Sequence, residues 1–133
     1  MTTVPSRTVC ADTAAPASSL AVLRAAAGRL LATGTARDAG CAATASKRAR
    51  AGRVARVSLA ISRRVAGGCR YVTARGALTA VKPCDAPLAL IARGAKSWRV
   101  AARAPRGTYR VRWQAIDASG NLERAHVRAL RVG

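Results

Sequence analysis

A strict two-residue alternation followed by a turn is the feature that most constrains the fold of this chain. Large or apolar side chains fall at every second position of the run, at Tyr109, Val111, Trp113 and Ala115, with arginine or glutamine between them. This period is typical of a strand buried on one face. The run ends in Asp-Ala-Ser-Gly-Asn, whose residues favour a chain reversal. We therefore predict a returning strand over Glu123–Val132.

The same alternation recurs elsewhere, most clearly in Arg53–Arg63. Further strands are predicted around Cys69–Thr73 and over Leu88–Ala92 and Ala95–Ala104. The two prolines of Lys82–Pro87 exclude a central strand there, because proline lacks the ladder donor. Closely spaced turn signals favour an all-β sandwich of about seven to nine short strands over any βαβ design. Its predicted core includes Trp98, Trp113, Tyr109 and Val111.

Residues 19–35 are ambiguous. Their leucines recur at helical spacing around an alanine run of high helix propensity. Two strands, Leu20–Arg24 and Arg29–Ala36, joined by a turn through Ala26–Gly28, account for the same residues. We predict the two strands because the rest of the chain is β, and we predict a basic loop over Asp38–Gly52.

The chain carries a formal net charge of +19, from 24 Lys and Arg against 5 Asp and Glu. Such an excess attracts polyanions in a salt-dependent way. However, arginine outnumbers lysine 21 to 3, which a GC-rich coding sequence produces without selection for a ligand. If their strands are adjacent, four arginines would form one basic outer face that binds nucleic acid or an acidic cell-surface polymer: Arg99, Arg103, Arg110 and Arg112.

Four cysteines, Cys10, Cys41, Cys69 and Cys84, suit a disulfide framework in an oxidising compartment. None forms a C-x-x-C pair, so a zinc site is not expected. Three pairings are open from the sequence. We prefer Cys10 with Cys41 and Cys69 with Cys84, because each pair joins chain neighbours that flank a plausible hairpin.

The length of 133 residues suits one domain. We place a linker or lead-in strand at residues 1–11 and the domain at residues 12–133. No run resembles a membrane span, and residues 1–16 lack the apolar stretch of a secretory signal. We expect a piece of a longer exported chain, and the alternative is a cytosolic protein with reduced cysteines.

Catalysis is not expected, because an enzyme must bring acid, base or nucleophilic groups together. The chain has a single histidine, His126, few carboxylates and no catalytic or phosphate-binding motif. A lone histidine in a strand is more often a surface or edge residue than a catalyst. We predict no catalytic residue, cofactor or metal.

Three motifs resemble those of bacterial immunoglobulin-like and fibronectin type III-like modules: Gly107–Val111 running into Ala115–Asn121, Asp12–Pro16, and Gly34–Asp38. This resemblance implies an antiparallel β-sandwich in which Tyr109 forms a tyrosine corner, its hydroxyl closing the preceding loop. It also implies a monomeric, secreted or cell-surface module that is a spacer, stabiliser or adhesion unit. Its expected partners are neighbouring domains of a longer chain, and an anionic polymer or a protein is a further candidate.

Two departures from the family pattern matter. Val111 stands where antibody domains carry a cysteine, so the inter-sheet disulfide of that type cannot form. Some relatives bind Ca²⁺ between modules through acidic residues near the two ends that Asp12, Asp117 and Asn121 match. With only five acids in the chain, we expect turns capped by these side chains rather than a calcium site.

Overall fold

The computed structural model describes residues 8–133 and contains ten strands and no helix in that range. The strands are β1 Thr8–Val9, β2 Ala17–Ala26, β3 Arg29–Arg37, β4 Lys47–Arg48, β5 Val54–Val65, β6 Gly68–Tyr71, β7 Leu90–Ile91, β8 Ser97–Arg103, β9 Gly107–Asp117 and β10 His126–Val132. The predicted all-β class is therefore confirmed, with short strands somewhat more numerous than expected. Within these residues, no helix could cross a membrane.

The strands form two antiparallel sheets and one short parallel pair. In the larger sheet the order is β10-β9-β5-β6, and β7 also pairs with β5. The smaller sheet has the order β2-β3-β8, so β8 is an edge strand. The parallel pair joins β1 to β4. Consecutive strands β8 and β9 thus lie in different sheets, and the chain crosses between the layers at Pro105–Gly107.

The inward faces of the two antiparallel sheets share one hydrophobic core. The smaller sheet contributes Leu30, Val100 and the ring of Trp98, and the larger sheet contributes the ring of Trp113. The other buried side chains of this core include Ala32, Ala36, Val57, Leu59, Ile61, Val72, Tyr109, Val111, Ala115 and Val132. The two-residue period of the sequence is the cause, because it sends alternate side chains of each strand to the same layer interface.

The ambiguous segment 19–35 forms two strands rather than a helix. β2 and β3 pair in antiparallel register, from Ala17 opposite Arg37 to Ala26 opposite Arg29. The turn between them is Ala27–Gly28, with φ values of 51° and 74°. Two successive positive φ values characterise the tight hairpin turn whose twist matches paired strands. The hairpin and its burial override the helix propensity of the alanine run.

Several boundaries differ from those predicted. The expected loop Asp38–Gly52 contains β4, which pairs with β1. The predicted linker or lead-in strand at residues 1–11 contains β1 and Cys10, and its residues 1–7 lie outside the described residues. The last strand begins at His126 and not at Glu123, because the Glu123 side chain turns into the protein.

Candidate functional site

Each disulfide fastens a segment that lies outside the two antiparallel sheets. Cys10 is bonded to Cys41, and Cys69 is bonded to Cys84, which are the pairs that we prefer from the sequence. The first fixes the lead-in strand against the segment before β4. The second holds the two-proline segment against β6, where the Tyr71 hydroxyl also donates to the Cys84 carbonyl at 3.1 Å. No cysteine is free in the described chain.

Tyr109 lies at the start of β9 with its ring in the core. Its hydroxyl donates a hydrogen bond to the carbonyl of Pro105, four residues earlier. This bond closes the crossover loop in the manner of a tyrosine corner. The Arg63 guanidinium carbon lies 5.6 Å from the ring centroid. Burial raises the pKa of Tyr109, and the positive charge of Arg63 opposes part of that rise.

Three carboxylates converge at one end of the molecule. Asp12, Asp38 and Asp117 each place an oxygen within 4.8 Å of the others. The Asp117 carboxylate accepts hydrogen bonds from the backbone N–H of Ser119 at 3.0 Å and of Asn121 at 2.8 Å, and from the Asn121 amide. The same amide also donates to the Asp12 carbonyl at 2.6 Å. The turn after β9 is thereby joined to the lead-in and to the end of β3.

The pKa values of Asp12 and Asp117 are shifted in opposite directions. Burial, a hydrogen bond with Asp38 and the charge of Asp117 raise the pKa of Asp12. Burial also acts to raise the pKa of Asp117, but the hydrogen bonds from Asn121, together with those from Asp12 and Asp38, outweigh it and lower that pKa. The raised pKa of Asp12 thus follows from its burial beside two other carboxylates. The oxygen donors also suit a hard divalent cation.

A further buried acid, Glu123, lies between the two sheets, apart from the three converging carboxylates. Its carboxylate accepts hydrogen bonds from the backbone N–H of Ser18 at 2.7 Å, from the Ser18 hydroxyl and from the backbone N–H of Ala115 at 3.1 Å. Nε2 of His126 lies 3.0 Å from the same carboxylate, and the imidazole stacks on Trp113 with ring centroids 5.1 Å apart. Burial acts to raise the pKa of Glu123, but these hydrogen bonds outweigh that effect, so the pKa is lowered.

These three side chains do not form a nucleophile and base pair. In a serine hydrolase the serine hydroxyl donates to histidine, and the acid orients that histidine from its far side. Here Glu123 lies between Ser18 and His126 and takes a hydrogen bond from the serine itself. The serine proton is therefore directed to a carboxylate that structural hydrogen bonds already occupy.

The four arginines of the predicted basic face are not brought together. Arg99 and Arg103 lie on the outer side of β8, whereas Arg110 and Arg112 lie on the outer side of β9. Because these strands belong to different sheets, the two pairs of arginines lie on opposite sides of the molecule. The condition for a single face, adjacency of the two strands, is not met.

The sequence analysis did not identify two of the residues in these sites. One is Asp38 of the carboxylate cluster, which consists of Asp12, Asp38 and Asp117. The other is Glu123, which lies between the sheets and bonds to Ser18 and Ala115. Asp38 ends the motif Gly34–Asp38, so a signal was present, but its approach to Asp117 is a long-range contact. The sequence around Glu123 shows no alternation that would distinguish this buried residue from a solvent-facing one.

No protein-family model, curated protein or solved structure matches this chain.

Proposed function

We propose that this chain is a non-catalytic immunoglobulin-like module of an exported or cell-surface protein, where it is a spacer, stabiliser or adhesion unit beside neighbouring domains. The two-layer arrangement of antiparallel sheets and the tyrosine corner at Tyr109 support the fold assignment. The three family motifs support it from the sequence side.

The two disulfides are the observation on which the exported role depends. They use all four cysteines and fasten segments that contain little regular structure. Disulfides persist in oxidising compartments and are rare in the reducing cytosol. A lean core that contains alanine at many positions and no phenylalanine gains most from such covalent links.

The use of the polar side chains supports a structural rather than a catalytic role. Asp117 and Glu123 accept several hydrogen bonds each from their own surroundings. His126 is engaged by Glu123 and by the ring of Trp113. These groups hold turns and sheet edges in place, which is what a module needs in order to keep a fixed shape between other domains.

The proposal is tested by producing the chain with a secretion signal in an oxidising compartment and, separately, in a reducing cytosol. We expect the exported protein to be a folded monomer with no titratable thiol and with the two native disulfides identified by peptide mapping. Four free thiols in exported, folded protein would contradict the proposal. A stable oligomer would contradict its monomeric form.

A further inference from the structure

Strand β8 leaves one of its two backbone edges open. The hydrogen bonds from Ala36 N–H to the Lys96 carbonyl and from Ala104 N–H to the Gly28 carbonyl, both 2.9 Å, show that even-numbered positions bond to β3. Odd-numbered positions therefore direct their backbone groups to the other side. Arg99 bonds there to Arg93 in both directions, at 2.8 and 2.9 Å.

The next two odd positions of β8, Ala101 and Arg103, have no backbone partner on this side among residues 8–133. An edge of this kind presents donors and acceptors in the pattern that a further strand requires. The short bridge between Arg93 and Arg99 shows that the edge already accepts a pairing partner at its first position. The open part begins directly beyond that bridge and extends to Arg103, where the turn at Gly76 bounds it, since a Cβ atom at Gly76 would lie 2.7 Å from Cβ and 3.2 Å from the carbonyl oxygen of Arg103.

A cleft runs along the open edge. Its two adjoining parts have volumes of about 620 and about 480 Å³, and both are lined by Ala74, Ala101 and Ala102. Leu90 and Ile91 form an apolar wall of the larger part, and 60% of the Ile91 surface is exposed. The cleft thus combines an unpaired backbone row with apolar surface that has small side chains at its floor.

The rim of the cleft is strongly basic. Its two parts are lined by five arginines and by no acidic residue: Arg29, Arg75, Arg93, Arg99 and Arg103. Guanidinium groups pair with carboxylates through two parallel hydrogen bonds. The charge also argues against a second copy of this chain as the occupant, because two such edges would bring like charges together.

We propose that the open edge of β8 binds an extended acidic peptide segment of a partner protein, which adds to the smaller sheet as a fourth strand. Backbone pairing at Ala101 and Arg103 would provide the affinity that is independent of sequence. The alternation of the added strand would place apolar side chains against Ile91 and carboxylates against the arginines. This binding site goes beyond the proposed spacer role and does not depend on the compartment.

The first test uses a synthetic peptide of alternating valine and glutamate, about eight residues long. A comparison peptide has the same sequence, but alternate backbone amides are methylated. It keeps the charge of the first peptide and loses backbone N–H donors that would bond to β8. We expect the methylated peptide to bind about tenfold more weakly. In the complex with the first peptide, amide hydrogen exchange measured by NMR should slow at Ala101 and Arg103. Equal affinity for both peptides, or unchanged exchange at those amides, would overturn the proposal.

The second test separates the site from the overall charge by means of matched variants. Arg93→Gln/Arg103→Gln removes two charges from the cleft, and Arg110→Gln/Arg112→Gln removes two from the outer face of the other sheet. We expect the first variant to weaken peptide binding about tenfold and the second to change it less than about twofold. Equal weakening would assign binding to net charge and overturn the proposal.

The oligomeric state supplies the last outcome. Slow exchange at Ala101 without peptide, together with the mass of a dimer, would place a second copy on the edge and overturn the peptide proposal. A monomer that keeps both disulfides and binds neither peptide would overturn this inference alone and leave the proposed structural role intact.

Discussion

At the scale of single residues, Gly34 allows the Trp98 indole to pack against β3. A Cβ atom at Gly34 would lie 1.9 Å from the Ser19 carbonyl oxygen and 2.5 Å from Cζ2 of Trp98. The indole N–H donates to the Thr35 carbonyl at 3.1 Å. The ring is therefore fixed on both its apolar and its polar side, and it cannot withdraw to make room for a side chain.

Gly34→Ala should lower the free energy of unfolding by about 3 kcal/mol, because either Trp98 or the β2–β3 pairing must shift. Urea denaturation followed by tryptophan fluorescence measures this change. Gly67→Ala is the comparison, since its φ of +85° is strained but nothing lies within 4 Å of the new Cβ. That variant should lose only about 1 to 2 kcal/mol. Equal losses in the two variants would contradict close packing at Gly34.

Tyr109→Phe should destabilise the protein by about 1 kcal/mol, because the ring stays buried while the hydrogen bond to the Pro105 carbonyl is lost. The same denaturation experiment checks this prediction. The neighbouring exposed residue provides a control, and Thr108→Ala should change stability by no more than about 0.5 kcal/mol. An unchanged Tyr109→Phe variant would remove the tyrosine corner from the account of the fold.

At the scale of elements, Glu123 joins the consecutive strands β9 and β10 to β2, which is distant in sequence. It accepts hydrogen bonds from Ser18 in β2 and Ala115 in β9, and it contacts His126 in β10. Strands β2 and β10 belong to different sheets. This carboxylate therefore closes one open side of the two-layer structure, and its ionisation is coupled to the stability of that closure.

The lowered pKa of Glu123 fixes the direction of the pH dependence. At acidic pH the unfolded chain binds the Glu123 proton more readily than the folded chain does, so stability must rise with pH there. This contribution is present above the unfolded pKa, near 4.5, and is lost as pH falls through the lower folded value. We expect Glu123→Gln to have a lower thermal midpoint than the parent at pH 7.

The difference between Glu123→Gln and the parent should narrow as pH is reduced from about 7 to about 3. Thermal unfolding followed by circular dichroism at several pH values measures it. Asp117, whose pKa is also lowered, contributes with the same sign, whereas the raised pKa of Asp12 contributes with the opposite sign. Both remain in the variant, so their effects cancel in the comparison. A constant difference across the range would contradict the assigned role of Glu123.

The strands themselves could be predicted from sequence more readily than their pairing. Alternation in Arg53–Arg63 and around Tyr109 is a local property, and so is the inward parity of Trp98. The turn at Pro105–Gly107 is equally visible, but whether it closes a hairpin or crosses between sheets is not. Either connection buries the same alternate side chains, and for this reason the basic face predicted across β8 and β9 was wrong in its geometry.

The carboxylate cluster was foreseeable only in part for a related reason. Asp117 and Asn121 belong to one turn motif, so their mutual hydrogen bonds follow from local chemistry. The approach of Asp38 depends on how β3 and β9 are placed in separate sheets. Contacts between sheets carry no short-range sequence signal.

At the scale of the whole molecule, the acids are gathered and the arginines are spread. Four of the five acids in the chain participate in internal hydrogen bonds at the carboxylate cluster or between the sheets, namely Asp12, Asp38, Asp117 and Glu123. Asp85 remains exposed. The outer faces of both sheets are consequently cationic, and the positive charge is not concentrated on either one.

Heparin binding should reflect this spread of charge. We expect Arg99→Gln/Arg103→Gln and Arg110→Gln/Arg112→Gln to reduce heparin affinity to the same extent, because each removes two exposed charges from one outer face. Titrations at about 50 and about 150 mM salt should show a steep loss of affinity for the parent and for both variants. A loss confined to one variant would identify a localised polyanion site on that face.

The central claim is that two antiparallel sheets enclose the tryptophans in one core that two disulfides stabilise. Thermal unfolding followed by tryptophan emission, with and without dithiothreitol, tests it most directly. Links spanning 15 and 31 residues should each stabilise the fold by about 3 kcal/mol. We predict blue-shifted emission in the oxidised protein and a midpoint that falls by about 10 °C or more on reduction. An unchanged midpoint, or emission typical of water-exposed indole in the oxidised protein, would contradict the account.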